Sequence, residues 1–128
     1  MIYLDNAATS FPKPQEVWQA LEDHWFHKGG NPGRSGHRLS LEAGRIVAKA
    51  REVLAELFHG EKSEQVVFAA NATDAINMAF RGVLKPGDHV ITTSMEHNSV
   101  IRPLRDFEQK GGQLTIIPCN REGFVDLN

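Results

Sequence analysis

The chain has 128 residues, 41% of them hydrophobic, enough for one core and within the range of a single domain. Its formal charge of −2, from 14 Lys and Arg against 16 Asp and Glu, gives no broad positive field and no basic stripe to track phosphates, which argues against nucleic acid as a partner. No apolar stretch approaches the roughly 20 residues that a membrane-spanning helix needs, which argues against a membrane.

At the start of the chain, Ile2-Tyr3-Leu4 is a short apolar entry, cut off by Asp5 before a secretion core builds up. The polar turn Asp5 to Ser10 leads to Pro12 and Pro14, which favour an extended approach and then a helix start, so a helix is expected from about Pro14 to Phe26. Gly29-Gly30-Asn31-Pro32-Gly33-Arg34-Ser35-Gly36 is too rich in Gly and Pro for regular structure and reads as a loop that approaches another surface closely. Ser40 is the expected N-cap of the next helix, in which Ala43, Ile46, Val47, Ala50, Leu54, Leu57 and Phe58 recur at helical spacing until Gly60.

From Gln65 the pattern changes. Val66-Val67-Phe68 reads as a strand, Asn71 to Asp74 as a turn, and Ile76, Ala79, Phe80, Val83 and Leu84 as one stripe of a helix closed by Pro86-Gly87-Asp88. His89 to Thr93 follows as a second strand. A helix is then expected near Ser99 with Pro103 in its first turn, ended by Gly111-Gly112 before the strand Leu114 to Ile117. This alternation argues for an α/β fold with a parallel or mostly parallel sheet, flanked by helices and joined by right-handed crossovers. Three strands, apolar on both faces, are fewer than an average sheet holds. Val125-Asp126-Leu127-Asn128 also reads as the lead-in to another helix. The chain is therefore expected to be an N-terminal fragment: an arm and helix over 1–28, a Gly-rich loop over 29–38 and the start of the α/β domain over 39–128.

At Asn71-Ala72-Thr73-Asp74 a strand hands over to a helix, where free N–H groups and the positive end of the helix dipole suit an anion. Small Ala72 permits close approach to the backbone, and the Thr73 hydroxyl adds a donor. For the tetrapeptide alone, a plain cap at Thr73 with Asp74 as dipole partner is the commoner case. His97, after the second strand, would overhang this site at the carboxyl edge of the sheet, where its imidazole could stack on a planar ring and move a proton. Taken singly, such a histidine is more often a turn residue. The other five histidines have no zinc spacing, so no metal is expected. The glycine loop matches neither a dinucleotide fingerprint nor a P-loop, but Arg34 on it could grip a carboxylate or phosphate, or simply face solvent. Cys119, the one cysteine, allows no internal disulfide and is expected to be a packed or edge residue; a cytoplasmic setting follows by default.

In order, Tyr3-Leu4-Asp5-Asn6-Ala7-Ala8-Thr9-Ser10, Asn31-Pro32-Gly33-Arg34-Ser35-Gly36-His37, Asn71-Ala72-Thr73-Asp74-Ala75-Ile76-Asn77 and Met95-Glu96-His97-Asn98 resemble the N-terminal third of the class V aminotransferases. The nearest branch is the cysteine desulfurases and selenocysteine lyases. The resemblance implies the N-terminal part of the large domain of a fold-type-I enzyme dependent on pyridoxal 5'-phosphate, working as a homodimer with active sites at the subunit interface. It implies that Ala72 and Thr73 hold the cofactor phosphate and that His97 stacks on the pyridine ring. Asn6, Ala7 and Ala8 would line the substrate entrance, and Arg34 would belong to a segment contributed by the neighbouring subunit. The implied reaction takes L-cysteine to L-alanine and leaves the sulfur on an enzyme cysteine for an acceptor protein. The cofactor-binding lysine, the aspartate under the ring nitrogen and the nucleophilic cysteine belong to later segments in this family, so the piece alone is expected to be inactive. Gly33 and Asn98 stand where group-II desulfurases carry histidines, which leaves the substrate open. The alternatives are another enzyme of the family, such as an aminotransferase, epimerase or lyase, or a non-catalytic phosphate-binding module.

Overall fold

The computed structural model describes residues 2–125. They fall into two compact units, one ending at Val67 and the other beginning at Phe68.

In the first unit, Tyr3 ties a turn together: its hydroxyl donates to the carbonyls of Asp5 (3.1 Å) and Thr9 (2.9 Å). Helix α1 (Gln15–His27) follows Pro14, whose missing N–H costs nothing at a helix start. Its last turn is braced by Asp23 and Lys28, 2.5 Å apart. The hydrogen bond from Lys28 holds the Asp23 carboxyl below its ordinary range, and the same bond raises the Lys28 ammonium. Val17, Ala20, Leu21 and His24 of α1 share a groove with Ala43, Ile46 and Val47 of helix α2 (Arg38–Leu57). Trp18 and Trp25 lie off that groove and remain 57% and 76% exposed.

The start of α2 differs from expectation. His37, extended at φ −75° and ψ 157°, is the cap, and its Nδ1 accepts from the Ser40 N–H at 3.3 Å. Ser40 lies inside the helix, buried, and its hydroxyl donates to the Asn31 carbonyl at 2.7 Å. The serine thus pins the glycine loop to the helix. Gly30 completes that seam, because a Cβ there would collide with the backbone of Leu39 and Ser40.

The strand expected at Val66-Val67-Phe68 is not formed. A short 3-10 turn (Ser63–Gln65) leads into extended backbone at Val66 (φ −82°, ψ 114°), but among the described residues no ladder partner pairs with it. Of the three expected strands, two are present among the described residues.

In the second unit, helix α3 (Ala72–Val83) leads to strand β1 (His89–Thr93), helix α4 (Asn98–Gln109) and strand β2 (Gln113–Ile117). The strands pair in parallel, with His89 opposite Gln113 and Thr93 opposite Ile117. Leu104 of α4 and Thr92 of β1 are buried. The period of two sends Val90 and Thr92 to the better-covered face and leaves Ile91 61% exposed on the other, so β1 is not buried on both faces as expected. The end of α4 is a Schellman motif: Gly112 N–H donates to Phe107 O, Gly111 N–H donates to Glu108 O, both at 3.1 Å, and Gly111 has φ +95°. Pro103 sits in the second turn of α4 and not the first, because the helix opens at Asn98 under a His97 cap. The proline removes the N–H that would have reached the Ser99 carbonyl. The expected helix after Val125 lies outside the described residues, and Val125 itself forms an isolated antiparallel bridge with Cys119.

Within the two units several large apolar side chains are exposed, Phe58 and Val67 in the first and Val83 and Ile91 in the second. Among the described residues no helix is long and apolar enough to cross a membrane.

Candidate functional site

Asn71 opens α3, so the cap considered for Thr73 falls two residues earlier. The Asn71 side-chain oxygen accepts from the Asp74 N–H at 2.9 Å, and its amide donates to the Asp74 carboxylate at 3.0 Å. The Ala75 N–H goes to the Asn71 carbonyl. This leaves the N–H groups of Ala72 and Thr73 without an acceptor among the described residues. Both lie at the positive end of the helix dipole. Asn77, one turn on, donates to the Thr73 carbonyl at 2.8 Å and steadies the first turn.

The carboxyl ends of the two strands fix His97. Ser94 N–H donates to Ile117 O at 2.9 Å, and the Ser94 hydroxyl accepts from the Cys119 N–H at 2.9 Å, so the exits of β1 and β2 are clamped together. The chain turns through Met95 and Glu96 to His97, whose Nδ1 accepts from the Ser99 N–H at 3.1 Å. The Ser99 hydroxyl lies 2.9 Å from the same nitrogen, so both the amide and the side chain of Ser99 hold the ring. Nε2 has no partner among the described residues.

Thr73 and His97 line one open groove of ≈ 660 Å³ between α3 and α4. Asn77 and Arg81 continue the α3 wall, and Ser99 and Arg102 the α4 wall. Ala72 contributes its backbone at the helix end and does not line the groove. Asn6, Ala7 and Ala8 form an exposed turn in the first unit, where the Asn6 side chain accepts from the Phe11 N–H at 3.1 Å. Arg34 is exposed on the glycine loop of the same unit. No cluster of three or more potential metal ligands occurs among the described residues. Sequence reasoning missed Asn71, Asn77 and Arg81. The first was visible as Asn-x-x-Asp before an apolar stripe, and the others stand four and eight residues after Thr73, on its helix face.

Residues 2–128 match the family model described as aminotransferase class V. The chain belongs to the class V aminotransferase family. Within this family it is 38% identical to the cysteine desulfurase IscS of Dictyoglomus turgidum (strain DSM 6724 / Z-1310), over 98% of this chain and 32% of that protein. It is 37% identical to the mitochondrial cysteine desulfurase of Arabidopsis thaliana, over 98% of this chain and 28% of that one. Among solved structures, a NifS-like protein superposes with a TM-score of 0.77 at 28% identity, covering 98% of this chain and 35% of its own. The Escherichia coli cysteine desulfurase CsdA gives 0.69 at 30% identity, over 93% and 31%. SspA in complex with cysteine gives 0.75 at 26%, over 93% and 35%. The α/β fold is that of the family, and the chain spans about a third of the length of the relatives it matches.

Proposed function

We propose that this chain is the cofactor-phosphate segment of a cysteine desulfurase-like enzyme that takes L-cysteine to L-alanine and passes the sulfur to an enzyme cysteine outside this segment. The observation that carries the reading is the pair of free N–H groups at Ala72 and Thr73, beside a groove that Thr73 shares with His97. Two backbone donors, one hydroxyl and a helix dipole fit a phosphate monoester. The His97 ring, fixed by its own cap, suits a flat heteroaromatic group on the same ligand. Pyridoxal 5'-phosphate meets both demands and, when bound, supplies the electron withdrawal that eases loss of a substrate α-proton. Thr73 and the α3 amides would hold the phosphate, His97 would orient the ring, and its Nε2 is placed to hold or release a proton. Cysteine as substrate is supported by the names of the relatives and by the cysteine bound to SspA. On this reading the active protein is a homodimer, with Arg34 and the Asn6 to Ala8 turn serving the substrate side and a sulfur-acceptor protein as its partner.

Pyridoxamine 5'-phosphate lacks the aldehyde that reacts with any lysine, so it tests recognition alone. It is expected to bind the chain at least about tenfold more tightly than pyridoxamine, with Thr73→Ala removing most of the difference. Equal binding of the two compounds would sink the reading.

A further inference from the structure

The groove between α3 and α4 continues past Thr73 into a second cavity of ≈ 220 Å³, whose walls include Phe80, Leu84, Pro86, Pro103 and Phe107. Arg81 stands where this cavity and the Thr73 groove meet, and lines both. It lies eight residues beyond Thr73, about 12 Å along the helix, too far to serve the same phosphate. Two other charges border the cavity, Lys110 and Asp106, and they satisfy each other at 2.6 Å. Arg81 has no ion-pair partner among the described residues. The wall is well fixed on one side, because Gly112 packs directly against the Phe107 ring and the Schellman bonds hold that glycine in place.

We propose that this end of the cleft is a second ligand site, for a small carboxylic acid carrying one aromatic or branched apolar group. The guanidinium supplies a planar fork of donors that matches a carboxylate, and the two phenylalanines, the leucine and the prolines receive the apolar group. The cavity is smaller than the sites of drug-sized ligands, which limits the apolar part to about one ring. Because Arg81 borders the cavity without an ion-pair partner among the described residues, a neutral isostere loses the interaction that orients the ligand.

Phenylacetate and phenylacetamide have the same shape and differ in charge, so they are the probes, titrated into the isotope-labelled chain and followed by amide NMR. Phenylacetate is expected to give saturable shifts at Phe107, Gly112 and Arg81, and to bind about tenfold more tightly than the amide. Arg81→Gln should erase that preference, and Arg81→Lys should restore part of it. Thr73→Ala should leave it unchanged, which separates this site from the phosphate end. No saturable shift, or equal affinity for acid and amide in the unaltered chain, overturns the proposal.

Discussion

Replacing Ser40 with alanine removes one oxygen from a site that is 1% exposed, and that oxygen carries the hydrogen bond to the Asn31 carbonyl at 2.7 Å. Two limits frame the cost. If the abandoned carbonyl stayed dry, the loss would reach about 1–3 kcal/mol; a typical net hydrogen bond is worth about 1 kcal/mol. Asn31 itself is exposed, so its carbonyl regains water and the lower figure applies. About 1 kcal/mol means an opening equilibrium of the glycine loop roughly fivefold larger. The assay is hydrogen exchange at Gly30, whose N–H donates to the Lys28 carbonyl at 2.7 Å and reports that loop. Its exchange should accelerate about fivefold while amides of β1 and β2 keep their rates. An unchanged Gly30 rate would refute the pinning role. Equal acceleration in the strands would show that Ser40 stabilises the whole chain and not the loop.

Gly112→Ala sets a methyl group against the Phe107 ring, which must turn aside, and should lower the urea midpoint; an unshifted midpoint would contradict the packing described for the α4 exit. Asn71→Ala should remove about 1 kcal/mol of cap, whereas Asn71→Asp should keep the oxygen that accepts from the Asp74 N–H, lose the bond to the Asp74 carboxylate, and weaken binding of pyridoxamine 5'-phosphate, because a second negative charge then stands beside Thr73. For the Asp23–Lys28 contact the signs differ by partner. Asp23 is lowered in the fold, so its contribution is present above the unfolded carboxyl value and is lost as pH falls through the lowered one. Lys28 is raised, so its contribution holds below the ordinary lysine value and disappears as pH rises through the raised one. A carboxyl-carbon NMR titration should therefore place Asp23 below its ordinary midpoint, and Lys28→Ala should return it upward; no return would remove Lys28 as the cause. The exposed apolar side chains and the open edges of the two-stranded sheet predict self-association, and a strictly monomeric sedimentation profile at high concentration would contradict it.

What the sequence revealed tracks how local each interaction is. The α1 and α2 helices were legible because their apolar positions repeat with helical period and their ends carry Pro14 and Gly60. Strands β1 and β2 were legible because β-branched runs follow turn glycines, Gly87 before the first and Gly111-Gly112 before the second. Val66-Val67-Phe68 has the same composition, but a strand exists only within a sheet, and the sheet found among the described residues is that of β1 and β2. Serine is a habitual capping residue, so Ser40 drew attention that belonged to His37, whose capping side-chain nitrogen has no simple sequence signature, while at α3 Asn71, an equally good cap, lay two residues before Thr73. The same holds at His97, whose capping role moves the start of α4 and carries Pro103 into the second turn. Thr73 and His97 were readable as neighbours because both follow expected strand ends at one edge of the sheet, and the four-block resemblance then raised a ligand site above the commoner reading of each as an ordinary helix-start residue. Arg81 escaped notice because an arginine in a last helical turn is common, and only the cavities around it distinguish this one.

The central claim is that the free amides at the head of α3 receive a phosphate. Amide spectra recorded during titration with pyridoxamine 5'-phosphate address it directly. The account predicts saturable downfield movement of Ala72 and Thr73, with Asp74, already bonded to Asn71, moving little. Movement confined to other residues, or a larger response at Asp74 than at Thr73, would contradict it.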